Sequence, residues 1–150
     1  MERLYKKELP AGQLIGESWE ISDRPGDVSV INRGPLTGKD LQWLMQSCAD
    51  ELLGRAHPVN GPFPLLVKIL DATETLSLQV HPPPSVAAKL SAAPKTEMWY
   101  VTEASANAEL FVGLKAGVTR GHFEDRLRSG NVAECFHRLK VKPGDAMVVQ

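Results

Sequence analysis

Cysteine is scarce in this chain: Cys48 and Cys135 are the only two among 150 residues, they lie far apart, and neither belongs to a Cys-x-x-Cys pair. A disulfide framework and a thiolate metal cluster are therefore excluded, and both side chains are expected to be reduced, buried thiols. Long apolar runs are missing as well. No segment approaches the ~20 residues of a membrane span, and the start, "MERLYKKELPAGQLIGESWEI", carries no apolar stretch of signal-peptide length. The expected setting is cytoplasmic, with no membrane partner. Nor is there an excess of one charge: 17 Lys and Arg stand against 18 Asp and Glu, a formal net charge of −1. A nucleic-acid partner would call for a basic excess, so none is expected. Internal repeats and low-complexity segments are also absent.

What remains is an ordinary soluble composition, 43% apolar and 23% charged. A chain of this length can bury roughly two thirds of the surface it would expose unfolded, so residues 1–150 are read as a single domain. Short β-like runs fall at 17–21 and 28–31, split by the turn residues "DRPGD". "LTGKDLQWLMQSCADELLG" spaces Leu41, Leu44, Met45 and Leu52 helically, with Thr37 as the expected N-cap and Gly54 as the expected C-cap. "LLVKILDATETLSLQVHP" reads as two strands joined at "DATET", and "SVAAKLSA" as a short helix. "EMWYVTEASANAELFVGL" reads as strand, turn, strand; "TRGHFEDRLRSG" as a capped helix ending at Gly130; "FHRLKVKPGDAMVVQ" as strand, turn, strand. Many short strands with a few helical insertions predict a mainly β sandwich or barrel. The last strand, "AMVVQ", breaks off in mid-alternation, which reads as the N-terminal part of a longer protein.

Chemistry concentrates in "LSLQVHPPPSVAAKL", residues 76–90. In a strand, residues two apart share a face, so Ser77, Gln79 and His81 would line one side and Leu76, Leu78 and Val80 the other. Pro82 to Pro84 then forbid further ladder bonds and leave the imidazole at the strand end. An imidazole and an amide oxygen on one face are two potential ligands for a divalent metal, and Glu97 in "PKTEMWYV" is the next candidate. The plainer alternatives are a surface histidine after an ordinary strand, an amide on its solvent face, and a solvated glutamate. Lys68 interrupts "LLVKIL" and must face solvent or find a partner for its charge. Lys95, two before Glu97, would share its side in an extended segment. Each lysine is either a surface charge or a contact to an anion or hydroxyl. His57, His122 and His137 lack partners at ligand spacing.

"GESWEIS" (16–22), "GPLTGKDL" (34–41), "PLLVKILDATETLSLQVHP" (64–82), "KTEMWYV" (95–101), "GL" (113–114) and "VKPGD" (141–145) resemble, in order and spacing, the type I mannose-6-phosphate isomerases, in particular their short bacterial form. The resemblance implies a cupin jelly-roll barrel, incomplete at the C-terminus, holding one zinc ion through a glutamine, a histidine, a glutamate and a second histidine. The first three correspond to Gln79, His81 and Glu97, and the fourth would lie beyond Gln150. Lys68 and Lys95 correspond to catalytic positions, and Glu17 and Ser77 to substrate-binding ones. The implied partner is a small sugar phosphate, and the implied reaction is the zinc-dependent interconversion of mannose 6-phosphate and fructose 6-phosphate through an enediol. A cupin that binds metal or sugar without turnover is the alternative, and a β-domain with no site is a third reading. No oligomeric state follows from the sequence.

Overall fold

Antiparallel pairing nested in sequence organises the chain. The computed structural model describes residues 1–56, 61–92 and 94–149, so His57 lies outside the described residues. They form two compact units, Met1–Ser77 and Leu78–Gln150.

The first unit contains α1 (Glu2–Tyr5), β1 (Glu17–Ile21), β2 (Asp23–Arg24), β3 (Asp27–Val28), α2 (Leu41–Ser47), α3 (Ala49–Leu53) and β4 (Val67–Leu70). β1 pairs antiparallel with β4, and the β2–β3 hairpin lies between them in sequence. That hairpin closes on Pro25, whose ring fixes one backbone angle, and Gly26, which takes φ +91° where a side chain would be strained. Just before it, Ser22 is buried at 1% exposure with its polar groups matched. Its amide donates to Ser29 Oγ (2.9 Å), its carbonyl accepts from the Ser29 amide (2.8 Å), and its Oγ accepts from the Arg24 amide (3.1 Å).

The helical stretch differs from its sequence reading in two ways. Asp40, not Thr37, caps it, accepting from the Trp43 amide at 2.7 Å. Thr37 sits in the preceding turn, where its Oγ1 donates to the Gly34 carbonyl (2.6 Å) and the Gly38 amide donates to Ile31. A carboxylate one step before the first helical residue is the better cap, so the helix starts there. It also breaks at Cys48, whose φ of −142° is not helical, giving α2 and α3 in place of one helix. Gly54 does end α3, at φ +56°. Leu41 is the buried apolar side chain here.

The second unit contains α4 (Pro84–Ala87), a 3-10 turn at Ala88–Leu90, β5 (Glu97–Tyr100), β6 (Glu109–Leu114), α5 (Arg120–Arg128), a 3-10 turn at Val132–Cys135, β7 (Phe136–Lys140) and β8 (Ala146–Val149). Proline at the first turn of α4 suits its fixed φ. Thr119 caps α5 by accepting from the His122 amide at 3.2 Å. β5 pairs with β8, and β6 with β7 inside it. The strands joined by the turns near 105–108 and 142–145 therefore belong to different pairs. Ala87 and Cys135 are buried, and Phe123 meets Phe136 edge-on, centroids 6.2 Å apart.

One expected strand does not form. Residues 75–83 carry no ladder, because no strand among the described residues pairs with them, and Leu76, Leu78 and Val80 remain 49%, 43% and 76% exposed. A period-two pattern specifies which faces a strand would present, but only a neighbour's N–H and C=O groups make it one. Among the described residues the sheets are four separate two-stranded pairs with no closed barrel, and helix and strand occur in comparable amounts.

Candidate functional site

The second unit brings three of the sequence-selected residues together. Glu97 opens β5, and His81 lies three residues before the start of α4. His81 Nε2 lies 3.2 Å from Glu97 Oε2, and Lys95 Nζ pairs with the other oxygen, Oε1. The His81 and Glu97 side chains are mostly covered, at 10% and 17% exposure, while Lys95 is more open. Burial pushes the Glu97 carboxyl up, but the Lys95 hydrogen bond and charge, with a hydrogen bond from Trp99 and the nearby His81, outweigh it and leave the group below the ordinary 4.5.

The donors fit a small divalent cation. Two ligands bound to one zinc at about 2.0–2.2 Å with tetrahedral angles stand roughly 3.4 Å apart, close to the His81–Glu97 separation. Among the described residues the buried His81 Nδ1 has no hydrogen-bond partner, a costly state for a ring nitrogen. Among the described residues, however, no three His, Cys, Asp or Glu side chains gather as a ligand group. Gln79 lies in the unpaired segment and is exposed.

The first unit holds a second cluster. β1 and β4 place Trp19 directly opposite Lys68, and Glu17 two residues before Trp19 on the same face. Lys68 Nζ donates to Glu17 Oε2 at 3.2 Å, and the Trp19 indole donates to Oε1 at 2.9 Å. The Trp19 hydrogen bond, then the Lys68 hydrogen bond and charge, hold the Glu17 carboxyl below its ordinary range against slight desolvation. Lys68 is thus a paired cation. Glu17 also borders an open hollow of about 330 Å³ with Leu70, Asp71, Thr73 and Leu76 on its walls. Ser77, at the end of this unit, is exposed and in no ladder.

His122 lies in the first turn of α5, where its Nε2 accepts from Arg126 Nε (3.3 Å), and His137 is exposed on β7. Trp19 and Trp99 are not among the residues the sequence pattern points to. Their signal was present: "ESWE" and "EMWY" both read Glu-x-Trp on a strand, a spacing that puts carboxylate and indole on one face.

Residues 1–114 match the model of the type I phosphomannose isomerase catalytic domain. The chain belongs to this family. It is 39% identical over 140 residues to the probable mannose-6-phosphate isomerase GmuF of Bacillus subtilis, covering 91% of this chain and 43% of that protein. The mannose-6-phosphate isomerase of Streptococcus mutans is 36% identical over 150 residues, covering 99% and 46%. A crystal structure of mannose 6-phosphate isomerase from Bacillus subtilis superposes with a TM-score of 0.75 at 36% identity, covering 89% of this chain and 42% of that one. The chain thus spans less than half the length of these relatives. No helix among its described residues is long and apolar enough to cross a membrane.

Proposed function

We propose that the chain carries zinc- and sugar-binding groups of a mannose-6-phosphate isomerase built on a cupin jelly roll. The observation that carries this is the His81–Glu97 pair, two hard-to-bury donors held 3.2 Å apart in a chain of this family. Nested antiparallel pairing, β1–β4 around β2–β3 and β5–β8 around β6–β7, supports the jelly-roll assignment, since such rolls are wound from folded-over antiparallel ribbons. The reading includes a cytoplasmic setting, which the free thiols Cys48 and Cys135 support.

His81, Glu97 and Gln79 would hold the zinc, with a further histidine beyond Gln150 as fourth ligand. Bound zinc supplies Lewis-acid stabilisation of negative charge on the sugar's oxygens during proton transfer between C1 and C2. Lys95, whose ammonium rests on Glu97 Oε1, fixes which carboxylate oxygen stays free and offers further N–H donors to a substrate oxygen. Lys68, paired to Glu17, would donate to a sugar hydroxyl or to the enediol oxygen, with Glu17 and Ser77 accepting from hydroxyls. Coupled formation of fructose 6-phosphate from mannose 6-phosphate, with and without chelator, tests the reading. Zinc-dependent turnover is expected, and chelator-insensitive turnover would overturn the metal's role. That, among the described residues, one imidazole and one carboxylate gather without a third such ligand fits the second reading, a cupin that binds without turnover, and metal binding with no product would select it.

A further inference from the structure

We propose that Trp19 is a positioning residue whose indole N–H holds one oxygen of Glu17 so that the other is presented to Lys68. The inference deepens the sugar-site reading and rests on it for the purpose of the clamp, though not for its geometry. Cross-strand register puts Trp19 opposite Lys68, and strand alternation puts Glu17 beside both. Each carboxylate oxygen then has its own donor, at 2.9 Å from the indole and 3.2 Å from the ammonium. An unclamped glutamate on this half-exposed face would rotate about its terminal torsion and offer Lys68 either oxygen. With the indole on Oε1, the ammonium takes Oε2, and one of its three N–H donors is spent there. Its other donors can serve a sugar oxygen, and the ion pair limits where the ammonium sits.

A Glu-x-Trp segment with a nearby lysine occurs again in β5, where Lys95 pairs with Oε1 of Glu97.

The 150-residue chain is titrated by carboxyl-resolved NMR, following Glu17 in the wild type, Trp19→Phe, Lys68→Met and the double variant, with the Trp43 and Trp99 indole signals as controls for folding. The Glu17 midpoint is expected to rise in Trp19→Phe. Lys68→Met is expected to raise it more in the wild-type background than in the Trp19→Phe background, because an unheld carboxylate meets Lys68 less often. Equal shifts in both backgrounds mean that the indole adds a bond without orienting anything, and overturn the proposal. Should Trp19→Phe not fold, the unmutated chain still decides: its Trp19 indole proton is expected to move with the Glu17 titration, and indifference overturns the clamp. Titration with mannose 6-phosphate separates the two ideas, since unperturbed Glu17 and Lys68 signals would sink the sugar-site reading while the coupling result stands by itself.

Discussion

Nε2 of His81 and Oε2 of Glu97 stand 3.2 Å apart, with Lys95 on the carboxylate's other oxygen and, among the described residues, no partner on the histidine's other nitrogen. Nε2 and Oε2 converge at a separation that one divalent cation could span.

Ligand contributions are expected to differ in order. His81→Ala and Glu97→Ala each remove a strong donor, whereas Gln79→Ala removes a neutral amide oxygen that enters from an unpaired segment. Zinc affinity measured by competition with a chromophoric chelator is expected to fall by more than about 100-fold for the first two, beyond the 10- to 100-fold typical of outer partners. Gln79→Ala is expected to fall less. An equal loss for all three would contradict the ranking.

Lys95→Met separates catalysis from metal binding. Removal of a positioned proton-transfer or oxyanion-stabilising group typically costs about 10²- to 10⁴-fold in kcat. That loss is expected with zinc content retained in the purified variant. A variant with full kcat would remove Lys95 from the reaction.

Helix capping gives a stability contrast. Asp40→Ala removes the side chain that accepts from the Trp43 amide and is expected to cost about 1 kcal/mol in denaturant unfolding, whereas Thr37→Ala, which loses only a turn contact, is expected to cost less. The reverse order would restore Thr37 as the cap.

Acid is expected to loosen the β6–β7 pair through Glu109. The Arg138 hydrogen bond, then slight desolvation against it, then the charges of Arg138 and Lys140 set Glu109 below its ordinary 4.5. A depressed carboxylate stabilises the folded form fully above that ordinary value and loses its contribution as pH falls through the lower folded value. Hydrogen exchange across β6–β7 at pH 7 is therefore expected to be faster in Glu109→Gln than in the wild type, with the difference vanishing at strongly acidic pH and shrinking in high salt. A difference that grows on acidification would reverse the sign.

Local chemistry was readable in the sequence wherever it depended on residues close together in the chain. Gly54 ends a helix because glycine tolerates its φ of +56°, Thr119 caps α5 through its own hydroxyl, and the Pro25-Gly26 turn makes its hairpin. The short strands followed from the same punctuation. Pairing did not: nothing in "EMWYV" or "ELFVGL" says that β5 takes β8 and β6 takes β7, because ladder partners are chosen by distant backbone groups. The Ser77, Gln79, His81 row failed for that reason, its strand having no neighbour among the described residues. Lys68 was legible as an anomaly and not as a solution, since its partner Glu17 lies on another strand across the sheet. Trp19 is not legible as a donor in the sequence, because an indole on a strand reads first as core.

Zinc content of the purified chain after exhaustive dialysis, compared with His81→Ala and Glu97→Ala, tests the central claim most directly. The account expects the wild type to retain zinc and both variants to lose it while keeping their near-ultraviolet signature. Zinc retained undiminished in either variant, or none bound by the wild type, would contradict it.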